Sequence, residues 1–168
     1  NIKDLGGTSA ATSQFYNFFQ YLTNASIYTA ATGAILGVQP GVFYTSFIPN
    51  NAAIVQAVKD GILPGTPATG VPNFLPTLQS DKDLVNNFIL YHILNKTTVV
   101  PDGKKFGTYE TLFKNISGDP GQLIITNSLN NMQIKDNYGR ISKVVTASSN
   151  NLADRCVIHL IDNYLKYN

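Results

Sequence analysis

Tyr44-Thr45-Ser46-Phe47-Ile48-Pro49-Asn50-Asn51-Ala52-Ala53-Ile54 changes character at its proline. From Val42 to Ile48 aromatic and β-branched residues dominate, and Pro40-Gly41 places a turn in front of them, which is the composition of a buried strand. Pro49 stops the strand because it has no N–H to give a ladder, and Asn50 or Asn51 can cap a helix that runs through Val58. Ile54, Val55 and Val58 form the inner face of that helix, and Gly61 ends it. The stretch therefore predicts a strand that turns directly into a capped helix.

Upstream of this corner, Phe15, Phe18, Phe19 and Leu22 share one stripe of a helix, with Ser13 at the N-cap position. Ala25, Ile27, Tyr28, Ala30 and Ala31 predict a second short helix, interrupted by Gly33 and Gly37. Downstream, Pro64, Gly65, Pro67, Gly70, Pro72 and Pro76 make Leu63 to Ser80 a long loop. A helix follows from about Asp81 to Leu94, capped by Ser80 or Asp81 and deeply packed through Leu84, Val85, Phe88 and Ile89, with Tyr91-His92 near its end. Strand-like runs then occupy Thr97–Val100, Thr108–Phe113, Gln122–Asn127, Met132–Lys135, Arg140–Val145 and Cys156–Ile161. Asp136-Asn137-Tyr138-Gly139 reads as a hairpin turn between two of them. Helices first and a mostly antiparallel sheet after give an α+β architecture. No internal repeat or low-complexity tract divides the chain, so residues 1–168 are expected to form one domain with its core at about 13–165.

Composition excludes several functions. Charged residues are 13% of the chain, against roughly 25% in ordinary soluble domains, while 18 residues are Asn. Twelve Lys and Arg against ten Asp and Glu give a net charge of +2, too weak a field for a nucleic-acid binder. A single cysteine, Cys156, rules out an internal disulfide and a cysteine-cluster metal site, and its place beside an apolar run predicts an inert core thiol. No apolar stretch approaches the roughly 18 residues of a membrane span. The first residue is Asn rather than Met, which is expected of a processed chain or of a piece of a longer one.

Three passages taken in order resemble the fasciclin domain family: Tyr44 to Ile54, then Tyr91-His92, then Val157-Ile158-His159-Leu160-Ile161-Asp162 with Leu165. They are similar to that family's T-x-F-A-P-T-N-x-A-F box, its Tyr-His motif and its V-I-H-x-I-D box, with Asn50 standing where the family usually has Thr. The resemblance implies helices packed on a mostly antiparallel β-wedge or sandwich. It also implies a non-catalytic adhesion or ligand-binding module of an extracytoplasmic protein, at the cell surface, in the periplasm or secreted, and one of several domains in its parent. A bias to Asn, Lys and Ile with little Arg suits a bacterium of low genomic GC content. In animal matrix members the Tyr-His pair is associated with adhesion, which makes Tyr91 and His92 the candidate binding residues.

The physical reading of the boxes is structural. Thr45, Phe47, Pro49 and Asn51 are expected to fix the strand-to-helix corner, and His159 to be a satisfied core histidine with Asp162 or a backbone carbonyl as partner. The apolar helix around Tyr91 and His92 favours packing and hydrogen bonding over direct contact with a partner. Catalysis has few candidates: two His, one Glu and one Cys, with no H-E-x-x-H, G-x-S-x-G or P-loop. The Gly33 to Gly37 segment lacks a phosphate-cradle spacing. Asp81 and Asp83 suit the first turn of a helix better than a carboxylate pair, and the loops of Asp102 and Asp119 lack the ligand density of a calcium site. No metal and no cofactor are expected. Asn24-Ala25-Ser26, Asn95-Lys96-Thr97 and Asn115-Ile116-Ser117 match glycosylation sequons, which have meaning only in a eukaryotic secretory host. The expected partner is a cell-surface or matrix protein or a glycan. The alternatives are a scaffold domain in a cell-envelope assembly and, third, a hydrolase using His92 or His159.

Overall fold

The computed structural model describes residues 2–153 and 155–167. After a 3-10 helix at Ile2–Gly6, the aromatic stripe of the first helix forms as its spacing predicts: α1 covers Tyr16–Asn24 and buries Phe18, Phe19, Tyr21 and Leu22. Ser13 is not its N-cap. Phe15 holds that position, while Ser13 Oγ accepts from the Phe15 N–H (3.1 Å) and donates to the Leu5 carbonyl (2.6 Å). The short helix expected after Ala25 is replaced by a small hairpin of β1 (Tyr28–Thr29) and β2 (Ala34–Ile35). Gly33 turns the chain there with φ 70°, and Tyr28 and Ile35 are buried while Thr29 and Ala34 face outward. Alternating burial outweighs the modest helix preference of two alanines.

The strand-to-helix corner is as expected: β3 covers Tyr44–Pro49 and α2 Asn51–Lys59. Asn50 is the cap, its side chain accepting from the Ala53 N–H at 2.8 Å, so it does the work expected of a Thr at that position. Gly61 closes the far end with φ 71°, where any side chain would be strained. The proline-rich loop contains one tiny hairpin, β4 (Gly65–Thr66) with β5 (Val71–Pro72). Next, α3 covers Gln79–Tyr91, beginning ahead of Asp81, and no side chain caps its start. It ends before Leu94 because His92 becomes the C-cap and Ile93–Leu94 leave the helix as strand β6. Their backbone pairs with Ser46 and Thr45 of β3, a tertiary gain that overrides continuation of the helix.

Five of the expected strand-like runs become β7 (Gly107–Lys114), β8 (Pro120–Ser128), β9 (Asn131–Lys135), β10 (Ile141–Lys143) and, later, β12 (Cys156–Ile161). Thr97 to Val100 forms no strand, and the short edge strand β11 (Asn151–Ala153) was not expected. The 136–139 turn joins β9 to β10 as predicted, with Gly139 at φ 77°.

Eight strands make one sheet in the order β10-β9-β8-β7-β6-β3-β12-β11, antiparallel throughout except for the β3/β12 pair. The sheet curls on itself: Val144 bridges to Ile161, and the Val145 N–H donates to the Leu160 carbonyl at 2.8 Å. The end of β10 thereby meets the end of β12. Every residue of β12 is buried, so both of its faces are core. This is the pattern of a parallel-paired inner strand. The three helices and this wedge-like sheet constitute the α+β fold that the sequence predicts.

Candidate functional site

The three sequence boxes meet in the core. Thr45 Oγ1 donates to the Thr97 carbonyl and accepts from the Val99 N–H, both at 2.9 Å. One hydroxyl thus pins a stretch that has no ladder of its own. The Val99 carbonyl in turn lies 2.8 Å from Nε2 of His159, which must carry the proton because a carbonyl only accepts. Nδ1 of the same ring accepts from the Asn150 N–H at 3.4 Å. Phe47, opposite His159 in the parallel register, stacks on the imidazole with centroids 5.8 Å apart. His159 is therefore the core histidine expected, with backbone partners, and burial lowers its pKa.

Asp162 is not that partner. It is exposed, its carboxylate accepts from the Lys143 N–H at 2.7 Å, and its own N–H donates to the Lys143 carbonyl at 3.0 Å. Its place is the seam where β10 meets β12. Pro49 sits opposite Ile161 in β12, and the next N–H, that of Asn50, donates to the Ile161 carbonyl at 3.0 Å. Asn51 works at the other side of the corner: Nδ2 donates to the Ala10 (3.1 Å) and Ser13 (2.8 Å) carbonyls, and Oδ1 accepts from the Asn17 N–H (2.9 Å). It fastens the N-terminal segment to the start of α2.

Tyr91 and His92 are both 0% exposed. His92 Nδ1 faces the Phe88 carbonyl at 2.7 Å and Nε2 accepts from the Leu165 N–H at 3.0 Å, so the neutral ring carries its proton on Nδ1. Desolvation lowers its pKa from 6.5 to about 3. Its own carbonyl accepts from the Phe47 N–H at 2.8 Å, which joins this motif to the first box. Tyr91 Oη donates to the Gln122 carbonyl (3.0 Å) and accepts from the Asn137 N–H (3.2 Å), and burial pushes its pKa up. The pair ties α3 to β3, to β8, to the 136–139 turn and to the C-terminal segment.

Sequence reasoning missed two features. Asp136 is buried, with Oδ1 accepting from the Tyr138 and Arg140 N–H groups (2.9 Å each) and Oδ2 from that of Lys166 (2.8 Å). An Asp opening a turn is the signal that could have found it. The second is a cleft of about 340 Å³ between the end of α1, the segment after β5 and α3, lined among others by Tyr21, Phe74, Leu75, Pro76, Lys82 and Val85. Only the proline content of its loop hinted at it. Among the described residues no three His, Cys, Asp or Glu side chains cluster as a metal would require. Cys156 is buried and its thiol pKa is pushed up to about 12 by desolvation.

No curated protein matches this chain in sequence. The family model described as the Fasciclin domain matches residues 13–167, a span that holds all three boxes, and the chain belongs to the fasciclin domain family.

Proposed function

We propose that this domain is an extracytoplasmic, non-catalytic adhesion or ligand-binding module that meets its partner through loops and clefts while the three boxes hold the scaffold. Fasciclin domains are generally adhesion or interaction modules, typically non-catalytic and usually extracellular or at the cell surface. No helix among the described residues is long and apolar enough to cross a membrane.

The observation that carries the reading is the state of the reactive side chains. Both histidines and the one cysteine are buried, and each imidazole nitrogen is engaged with the backbone. A general base must reach a substrate proton, and these rings face main-chain groups instead. Tyr91 and His92 then contribute to binding by shaping the end of α3. Apolar surface lies elsewhere: Leu75 and Leu78, on the proline-rich segment, are 71% and 64% exposed. Exposed apolar groups gathered on one loop are a common mark of a contact surface.

The test is retention of surface proteins, glycans or intact cells of the host on the immobilised domain, beside a thermally unfolded control. Saturable retention by the folded domain alone is expected. Retention no greater than that of the control would remove the adhesion reading.

A further inference from the structure

The cleft beside α3 has a rigid aromatic side, where Tyr21 and Phe74 meet edge to face with centroids 4.9 Å apart. Tyr21 is itself fixed, since its hydroxyl donates to the Pro64 carbonyl at 2.5 Å. Leu75 lines the cleft and reaches out of it, and Leu78 stands at the start of α3. A small molecule inside the cleft would leave those two side chains in water, whereas a polypeptide laid across it would cover them.

Among the described residues, Lys82 is the one charged residue lining the cleft. It follows Leu78 by one turn, its N–H donating to the Leu78 carbonyl at 3.1 Å, so the cation stands beside the apolar rim. Among the described residues it has no ion-pair partner, and the neighbouring Asp83 is taken up by Gln79 Nε2 at 2.8 Å. One turn further, Asn86 donates from Nδ2 to Ser26 Oγ at 2.9 Å while its Oδ1 is buried without a partner. The domain's own groups leave this wall with an unpaired charge, uncovered apolar surface and, just beneath it, an unpaired amide oxygen.

We infer that the cleft is the domain's contact surface for a protein partner, and that it receives an aromatic side chain flanked by a carboxylate residue. The aromatic ring packs against Phe74, which the buried Tyr21 backs from the core, and the carboxylate pairs with Lys82. The inference rests on the adhesion reading above and names the partner's chemistry.

The experiment is an ¹⁵N–¹H NMR titration of the whole domain with the probe acetyl-Asp-Phe-Asp-amide, beside its Asp-Ala-Asp and Lys-Phe-Lys counterparts. Expected are saturable shifts confined to residues 21–26 and 73–86, lost with the Ala peptide. The Lys-flanked peptide should bind about threefold to fivefold more weakly, the range of an exposed ion pair. Lys82→Glu, at an exposed position that leaves the spectrum otherwise intact, should reverse that order. Shifts elsewhere, indifference to flanking charge, or equally tight binding of free phenylacetate would overturn the assignment. Host-surface retention separates the two readings: Lys82→Glu retained as well as wild type would discard the cleft while keeping adhesion.

Discussion

The Leu165 N–H donates to Nε2 of His92 at 3.0 Å, which locks the C-terminal segment onto the end of α3 through a ring that must stay neutral. His159 performs the same kind of task between Val99 and Asn150. Both motif histidines are acceptors as well as donors to the main chain. Protonation would turn an acceptor nitrogen toward an N–H and break that bond.

Acid should therefore loosen the domain. Burial lowers the pKa of His92 from 6.5 to about 3 and that of His159 in the same direction. Below pH 6.5 the unfolded rings take up protons that the folded rings refuse. Stability is then complete above about pH 6.5 and falls as pH drops, by at most about 1.4 kcal/mol per pH unit for each ring. Urea unfolding at pH 7.5, 6.5, 5.8 and 5.2 checks this before most carboxylates titrate. A flat profile over that range would contradict it.

Asn51→Ala removes three hydrogen bonds that join the N-terminal segment and α1 to α2, and should cost about 2–3 kcal/mol. Asn50→Ala removes one cap bond and should cost only about 1 kcal/mol. Equilibrium denaturation of the two variants should rank them in that order.

Thr45→Val keeps the volume of the side chain but orphans the Thr97 carbonyl and the Val99 N–H, at a cost of about 2 kcal/mol. Thr45→Ser should recover most of it. Hydrogen exchange gives the finer readout: the Val99 amide should lose protection in the valine variant and keep it in the serine one.

Gly121 lies where β8 passes Tyr91, and a Cβ there would come within 2.9 Å of the tyrosine ring and of Thr111 Oγ1. Gly121→Ala should destabilise by about 1–3 kcal/mol through overpacking. Tyr91→Phe relieves none of this crowding and loses the bonds to Gln122 and Asn137, so thermal unfolding of the double variant should show no rescue.

Cys156 should ignore a thiol reagent in the native state and react only as fast as the domain opens. The reason is its burial beside a thiol pKa pushed up to about 12. Rapid labelling of the folded domain at neutral pH would show that β12 is more accessible than its packing implies.

Much of this fold is written in local patterns. The aromatic stripe of α1, the Pro49-Asn50 corner, the 136–139 turn and the bounds of β12 each follow from periodicity, caps or turn residues within a few positions. Where helix preference competed with strand pairing, the sequence misled: Tyr28 entered a hairpin with Ile35, and Ile93–Leu94 left their helix for β3. Backbone groups take the partners that burial offers, and for Ile93–Leu94 those partners lie far along the chain. The same reason separates the boxes from their roles. By itself the sequence determined that Thr45, Asn51, His92 and His159 are polar groups set in apolar or helix-start surroundings and must find partners. Only the tertiary structure decided that those partners are Thr97, Val99, Ala10, Ser13, Asn17, Phe88, Leu165 and Asn150 rather than Asp162. It also decided where the cleft beside α3 lies, because a concave surface is made by elements that meet in space and leaves no periodic trace in any one of them.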